Sequence, residues 1–467
     1  MKKLMTILLV FAMLLGLCAC GSSAGEDAPK DGLQVGYARE HFTPTIPTPL
    51  GGAGNAETRL SSGFVDYIYA TCVAFKDGDQ TAMIFTIDLL AVTATMTQKV
   101  RDALEEETGV PGENIMLVAT HTHSAPDPWA QNAGAAEFQR AFQKACLKAG
   151  KDAIADLTPA TLSAAKTDID YTYPRHYLME DGTYAADSYT ALAQPIKDYA
   201  TKKDSGATIL KIDREGDKKD IVMLNWQTHT TRHSANTEIS ADLVGGARDA
   251  FEKETGMLFA YYLGAAGNQN PSSKIAGDAP EGDHKVFGKL ISDAVIAALP
   301  NVQPVEGSGI KVTKHTMEYA VCHDDEHLVT EARRIIDLWN QRGQDATAVS
   351  ADCKAVGIST IHHAKAIVAR PSRPTTDTFD IYAMSIADIG FIYAPYEMFA
   401  QQGIYIKENS PFEYTFVCTV ANNYRNYFPS QEAFDYFGCY EATTSFFERG
   451  VAEVTAEQFV TMLKGLK

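Results

Sequence analysis

The strongest constraint on the fold is a regular alternation of β-rich runs with helix-like segments. Residues 82–90 are an apolar run of strand character, residues 95–108 carry apolar side chains at helical spacing and stop at Gly109, and residues 114–119 are apolar again. Strand, helix and strand in about 40 residues predict a βαβ unit, which requires a partly parallel sheet.

The same alternation continues to the end of the chain. It predicts an α/β fold of mixed character over residues 33–467, with partly parallel central sheets flanked by helices. The predicted helices cover residues 136–157, 243–254, 284–299 and 326–339, and the further predicted strands cover residues 67–75, 208–212, 221–226, 258–263, 367–370, 379–387, 390–394 and 416–421.

The charge balance limits the class of partner. The chain of 467 residues has 41 Lys and Arg against 59 Asp and Glu, a formal net charge of -18. Nucleic-acid binding needs a basic surface that displaces counterions from phosphates, so a nucleic-acid partner is not expected. The 45% hydrophobic and 21% charged content is that of a globular protein.

The N-terminus has the pattern of an export signal. Lys2 and Lys3 precede a short apolar run, which predicts a signal peptide over residues 1–19. The sequence Leu-Cys-Ala-Cys ending at Cys20 resembles a bacterial lipobox, so Cys20 is the predicted lipidation site and residues 20–32 a flexible tether. We expect a protein held at the outer face of the cell membrane through this lipid anchor alone; the alternative is a secreted protein cleaved near Ala24.

Six cysteines follow Cys20, and none lies in a CxxC motif or a Cys/His ligand cluster. They are too sparse for a disulfide scaffold. Export permits a bridge between Cys322 and Cys353, whereas Cys72, Cys146 and Cys418 lie in apolar patterns typical of buried thiols.

Two histidine motifs follow predicted strands. His121 and His123 come directly after residues 114–119, and on a strand residues i and i+2 point to the same face. His229 follows residues 221–226 in the same manner. The carboxyl ends of strands are where open α/β sheets place their sites, and imidazoles suit a divalent metal such as zinc. The alternative is that these residues are hydrogen-bonded polar groups at strand exits.

Three further segments at strand exits carry polar side chains. A Gly/Asn-rich loop over residues 264–271 follows a strand, where it either lets the backbone approach a ligand or is simply a tight loop. Glu397 is predicted in the first turn of a helix, where the helix dipole alone favours a carboxylate. Tyr427 follows the strand at residues 416–421 and is a site residue or a packing residue. No P-loop, GxGxxG fingerprint or GxSxG elbow is present.

Taken together, the motifs resemble the catalytic domain of the neutral, non-lysosomal ceramidase family. The most specific stretch is Ala-Thr-His-Thr-His-Ser-Ala-Pro over residues 119–126, followed by Asn225-Trp226 with His229. Ala-Pro-Tyr-Glu over residues 394–397 and Asn-Tyr-Arg-Asn-Tyr over residues 423–427 complete the likeness, which runs through residues 33–467 in order.

This resemblance implies a site and a chemistry. It assigns one Zn²⁺ to His121, His229, Glu397 and Tyr427, with His123 as a neighbouring catalytic residue. An open position on such a metal activates a water molecule toward an amide carbonyl. Arg175 follows a predicted strand and is expected to hold a polar group of the substrate; the alternative is a surface charge.

The sequence departs from the family at two points. Asn270 stands where the family has a serine essential to activity, and Asn268 replaces an aspartate. An amide cannot become a nucleophile, but it can donate a hydrogen bond to a developing oxyanion, so Asn270 is assigned as catalytic and Asn268 as substrate-binding. We also expect the family's C-terminal β-sandwich domain to be absent.

The expected function is therefore zinc-dependent hydrolysis of an amide in an N-acyl substrate, which is ceramide-like or another small molecule or lipid. Two alternatives stay open. One is a non-catalytic lipoprotein that binds a lipid or solute on the same scaffold. The other is a hydrolase of an amide or ester of the cell envelope.

Overall fold

The computed structural model describes residues 32–53, 59–186, 195–234, 236–275 and 277–467. The predicted signal peptide, Cys20 and the tether as far as residue 31 lie outside the described residues. Within the described residues, no helix is both long enough and apolar enough to cross a membrane.

A nine-stranded mixed sheet organises the first two thirds of the chain. Its strands run in the order β14-β12-β11-β6-β1-β3-β4-β5, with β16 paired to β6. The pairs β4–β5 and β12–β14 are parallel, and the other pairs are antiparallel. The strands are β1 Gln34–His41, β3 Tyr69–Asp77, β4 Gln80–Ile87, β5 Ile115–Ala119, β6 Thr158–Asp168, β11 Gly206–Arg214, β12 Ile221–Trp226, β14 Leu258–Leu263 and β16 Gln303–Pro304.

A second, four-stranded sheet comes from the last third of the chain, in the order β17-β18-β19-β21. Here β19 and β21 are parallel and the other pairs antiparallel. The strands are β17 Ile310–Ala320, β18 Thr376–Ile386, β19 Ile389–Tyr393 and β21 Tyr414–Cys418.

The two sheets face each other across a shared core. Alternate residues of each strand point into it, such as Val73 and Phe75 of β3 and Phe391 of β19. The buried side chain of Asn225 crosses this interface, because its amide donates to the Val417 carbonyl at 3.0 Å and its oxygen accepts from the Val417 N–H at 2.8 Å. A buried amide paired in this way fixes the register of one sheet on the other.

Helices cover the outer faces of both sheets, giving four layers. The other face of the large sheet packs on α1 and α2 at one end and on α3 and α4 at the other, and α8 and α10 cover the small sheet. The helices are α1 Ala94–Thr108, α2 Ala133–Ala155, α3 Asp242–Thr255, α4 His284–Ala298, α5 Glu326–Gln341, α6 Ser350–Ala355, α7 Ile361–Ala369, α8 Ala400–Asn409, α9 Tyr440–Thr444 and α10 Val451–Leu466.

Short strands form four further small sheets in the described part of the chain. They pair as β10-β8-β9, β13-β2, β15-β7 and β20-β22. Their bounds are β2 Gly63–Phe64, β7 Tyr173–Pro174, β8 His176–Met179, β9 Tyr184–Ala186, β10 Ile196–Tyr199, β13 Glu238–Ile239, β15 Gln269–Asn270, β20 Glu397–Met398 and β22 Tyr427–Phe428.

The predicted α/β class with partly parallel sheets is confirmed, and the predicted βαβ unit is β4-α1-β5. One local prediction is wrong, and the open question of a Cys322–Cys353 bridge is answered. Residues 367–369 end helix α7 and Arg370 begins a 3-10 helix, so no strand forms there; a short apolar run has no periodicity that separates the two states. Cys322 and Cys353 carry free thiols, and Cys322 donates to the Phe447 carbonyl at 3.0 Å instead of forming the permitted bridge.

Candidate active site

The carboxyl ends of the parallel strands meet at one edge of the sandwich. His121 follows β5, His229 follows β12, and Glu397 follows β19. Glu397 itself lies in the short strand β20, which pairs in parallel with β22 so that Glu397 and Tyr427 are direct partners. The topology thus brings four residues that are distant in sequence to one place, as expected for strand ends in an α/β fold.

The local backbone at the first histidine motif differs from the prediction. Strand β5 ends at Ala119, and His121 adopts a left-handed conformation with φ of 64°. The alternation of a strand therefore does not explain why His121 and His123 point the same way. They meet because the chain turns at His121, and their rings lie 4.9 Å apart. A histidine held at positive φ is uncommon and is typical of functional sites.

Three imidazoles and a carboxylate converge. The ligand nitrogens of His121, His123 and His229 all lie within 4.8 Å of one another. Oε2 of Glu397 lies 3.3 Å from Nε2 of His121 and 3.1 Å from Nε2 of His229. Both these histidines and Glu397 are buried.

The contacts of Nδ1 show which ring nitrogen of His121 and of His229 can bind a metal. Nδ1 of His121 lies 2.7 Å from the Leu90 carbonyl oxygen, and Nδ1 of His229 lies 2.8 Å from the Ala266 carbonyl oxygen. A carbonyl can only accept, so each Nδ1 carries a proton, and Nε2 is the nitrogen that each ring can offer to a metal.

Two imidazole nitrogens and a carboxylate oxygen therefore face one another at short range. Oε2 of Glu397 has no hydrogen-bond partner among the described residues. Buried acceptors in such an arrangement are stabilised by a cation, and backbone carbonyls on the outer nitrogen are typical of metal-binding histidines. The donor set of His and Glu suits zinc, so the residues present fit this ion.

The electrostatics keep these groups in the forms that bind a metal. Burial, together with the nearby guanidinium of Arg175, lowers the pKa of His229 to about 4. Burial and the two neighbouring imidazoles also hold the pKa of His123 well below its usual value. Burial would raise the pKa of Glu397, but the adjacent imidazoles outweigh it and hold that pKa well below the usual range. At neutral pH, His123 and His229 are neutral and Glu397 is ionised.

Arg175 is buried and engaged by protein groups. Its Nη2 donates to the phenol oxygen of Tyr427 at 3.1 Å and to the Gly267 carbonyl at 2.8 Å. Its Nε donates to Oε1 of Glu441 at 2.5 Å. The alternative of a surface charge is therefore wrong. Arg175 also lines the cavity described below, and its Nη1 lies 3.3 Å from Nε2 of His229.

A second group of ligand-type side chains lies behind Arg175. His176, Cys439 and Glu441 are fully buried, with ligand atoms within 4.8 Å of one another. Oε2 of Glu441 accepts from Nε2 of His176 at 2.9 Å and from Sγ of Cys439 at 3.2 Å. Because the same carboxylate already neutralises Arg175, a dication here would lie beside a buried guanidinium, and we assign the group to the support of Arg175.

The convergent groups open into a cavity of about 450 Å³. Asn270 lines it, and so do His123, Tyr424 and Tyr440. Gly52 closes over His123: a Cβ at Gly52, where φ is +95°, would lie 2.5 Å from Cγ of that ring. The close approach of this backbone therefore requires glycine.

Asn268 is not among the residues that line the cavity, and its role in substrate binding stays a prediction. It is fully buried, and its amide nitrogen donates to Thr201 at 3.2 Å and to Gln401 at 3.1 Å. Its oxygen accepts from the Ala400 N–H at 2.8 Å. The bonds with Gln401 and Ala400 fasten the loop to the start of α8, and the bond with Thr201 fastens it to the segment after β10. The predicted helical position of Glu397 is also wrong, because α8 begins only at Ala400 and the helix dipole does not explain the carboxylate.

Two residues of the site were not assigned roles from the sequence. Tyr424 donates to Oε1 of Glu397 at 2.6 Å, and Glu441 is the counter-ion of Arg175. Both lie in the motifs at the end of the chain. The sequence offers one signal for a buried ion pair here, which is the acidic residue Glu441 within an aromatic-rich segment.

A comparison with protein families identifies the class. The neutral/alkaline non-lysosomal ceramidase N-terminal domain matches residues 34–279, just over half of the chain. The chain therefore belongs to the neutral/alkaline non-lysosomal ceramidase family. Membership supports a hydrolase of ceramide-like amides, and none of the curated proteins gives a match.

Solved structures agree in fold. The neutral ceramidase from Pseudomonas aeruginosa matches with a TM-score of 0.66 at 16% identity, covering 93% of this chain and 75% of that one. A ceramidase complexed with C2 matches with a TM-score of 0.67 at 16% identity, covering 93% and 76%. At this identity, the likeness establishes a common fold.

Proposed function

We propose that this protein is a zinc-dependent hydrolase that cleaves the amide bond of an N-acyl substrate, with a ceramide-like lipid as the first candidate. The observation that carries the proposal is the close approach of Nε2 of His121 and Nε2 of His229 to the unpartnered oxygen Oε2 of Glu397. Family membership supports the same reaction class.

His121, His229, Glu397 and Tyr427 are the proposed zinc ligands. When bound, the ion supplies Lewis acidity and lowers the pKa of a water molecule. Burial and the charge of Glu397 keep the pKa of Tyr427 well above its usual value, so its phenol is protonated before a metal binds. Arg175 fixes the position of that phenol through its hydrogen bond.

The remaining residues act on the substrate and the proton. His123 is neutral, so its Nε2 can accept a proton from the attacking water and return it to the leaving amine. Asn270 lines the cavity, where its amide can donate to the carbonyl oxygen as negative charge develops. Loss of such a donor typically costs ~10²–10³ in rate.

Metal content tests the centre directly. We expect about one zinc per wild-type chain after purification, and less than a tenth of that in His121→Ala and in His229→Ala, because each removes a proposed ligand. His363→Ala is the matched control, since His363 lies on α7 and interacts with Ser359. Unchanged zinc in both site variants would contradict the proposal.

Turnover tests the reaction. A library of N-acyl lipids, N-acyl amino sugars and cell-envelope fragments should yield a released amine and acid for at least one class. Glu397→Gln should abolish this release, whereas Glu457→Gln, at an exposed position on α10, should not. Metal binding without any release would favour the non-catalytic alternative.

We also propose that the protein is exported and anchored through a lipid on Cys20 at the outer face of the membrane. The motif at residues 17–20 supports this. Incorporation of labelled palmitate should be lost in Cys20→Ala, and the variant should move from the membrane fraction to the medium. Labelling that persists in Cys20→Ala would contradict it.

A further inference from the structure

The two oxygens of the Glu397 carboxylate have different surroundings. Oε2 faces the imidazoles of His121 and His229. Oε1 is turned away and accepts a hydrogen bond of 2.6 Å from the phenol of Tyr424. The side chain therefore offers one oxygen to the centre while the other is held by a neighbour.

The position of Tyr424 is fixed by its loop and by its ring. The Arg425 N–H donates to the Pro395 carbonyl at 2.7 Å, and the Glu397 N–H donates to the Asn426 carbonyl at 2.9 Å. These bonds fasten the Tyr424 loop to the segment that carries Glu397. On its outer side the phenol ring packs against the indole of Trp129, with ring centres 5.3 Å apart.

The chemistry of the pair sets the direction of the hydrogen bond. An ionised carboxylate can only accept, so the Tyr424 hydroxyl is the donor. Hydrogen bonds from a hydroxyl to a carboxylate at this length are among the stronger ones in proteins. Without the donor, Oε1 loses this hydrogen bond, and the orientation of the carboxylate is less restricted.

We infer that Tyr424 is a positioning residue, which holds Glu397 so that a single oxygen is presented to the metal. The inference rests on the proposed function, since it requires a metal at this site. It assigns the two tyrosines of the 423–427 motif different tasks: Tyr427 faces the centre as a proposed ligand, and Tyr424 acts through the carboxylate.

The test is zinc affinity, measured by competition with a chelator of known strength. Tyr424→Phe removes only the hydroxyl and keeps the ring against Trp129. We expect zinc to bind ~10–100-fold more weakly, as is typical when a partner of a metal ligand is removed. The matched control is Tyr37→Phe, which removes a hydroxyl that donates to the Phe259 carbonyl within the core. It should leave zinc affinity within twofold of wild type.

A double-variant cycle separates positioning from a general structural effect. In a Glu397→Gln background, Tyr424→Phe should cause little further loss of zinc affinity, because the carboxylate on which it acts is gone. With Co²⁺ in place of zinc, the visible absorption spectrum of Tyr424→Phe should differ from wild type, whereas that of Tyr37→Phe should not.

The outcomes are distinguishable. If Glu397→Gln and His229→Ala leave zinc affinity unchanged, the proposed function fails. If those variants weaken zinc binding but Tyr424→Phe matches Tyr37→Phe, only the positioning role fails. Equal loss from Tyr424→Phe in both backgrounds also overturns it, since the effect then does not pass through Glu397.

Discussion

Replacing Glu441 by glutamine should destabilise the protein strongly, because it leaves Arg175 buried without its counter-ion. The two side chains are 1% and 6% exposed and lie 2.5 Å apart. Breaking a buried pair by removing one partner costs about 3–5 kcal/mol, out of a total stability of about 5–15 kcal/mol. We expect a loss of about 4 kcal/mol in the free energy of unfolding, measured by urea denaturation at pH 7.

The pH dependence provides a second readout. Burial raises the pKa of Glu441, but Arg175 and His176 outweigh it and hold the pKa well below its usual value of 4.5. A carboxyl with a depressed pKa in the folded state contributes stability that is present above its unfolded pKa and lost as the pH falls. The difference between wild type and Glu441→Gln should therefore be constant from pH 6 to 8 and shrink below about pH 4.5.

Two further variants test whether the loss of stability comes from the unpaired charge of Arg175. Asp293→Asn breaks the exposed pair with Lys289 and should leave the free energy of unfolding essentially unchanged, because solvent screens such pairs. The double variant Arg175→Met/Glu441→Leu removes both charges and should recover most of the loss. If Glu441→Gln costs no more than Asp293→Asn, Arg175 does not depend on Glu441 and the assigned network is wrong.

Three other predictions follow from the site. Gly52→Ala should lower kcat/KM at least tenfold, because the new methyl group overlaps the ring of His123. The control is Gly78→Ala, which is also at positive φ but in open space and should leave kcat/KM unchanged. Zinc at a thousand times its Kd should raise the free energy of unfolding by about 4 kcal/mol, and calorimetry should detect no such gain in His229→Ala. Asn268→Ala should cost about 1–3 kcal/mol of stability while leaving KM unchanged, whereas a residue in contact with substrate would raise KM.

The parts of the fold predicted from the sequence are those in which local pattern and tertiary structure agree. The helices and the buried strands around the βαβ units are continuous apolar or amphipathic segments, so their periodicity is visible in the chain. Strands β6 and β17 were missed because they are long, antiparallel and rich in polar residues, as in Lys-Val-Thr-Lys-His over residues 311–315. Their conformation depends on pairing with distant strands.

The site residues likewise include some that a local sequence pattern reveals and some that depend on distant pairing. The histidines were found because each follows a buried strand. The placement of Glu397 in a two-residue strand beside Tyr427 depends on a pairing across about 30 residues, which no local pattern reveals. The proposed role of Tyr424 depends on a loop in which Asn422 and Asn426 adopt left-handed conformations, and no local pattern predicts these.

The arrangement of the proposed ligands has a mechanical consequence. Two of them follow strands of the large sheet, and two lie in the segments that follow the small sheet. An ion held by all four would therefore link the two sheets at that edge. Removal of the ion should therefore weaken the contacts between the two sheets at that edge before it affects the rest of the molecule. Amide hydrogen exchange at the backbone bridge between Val118 and Ala421 should then rise first.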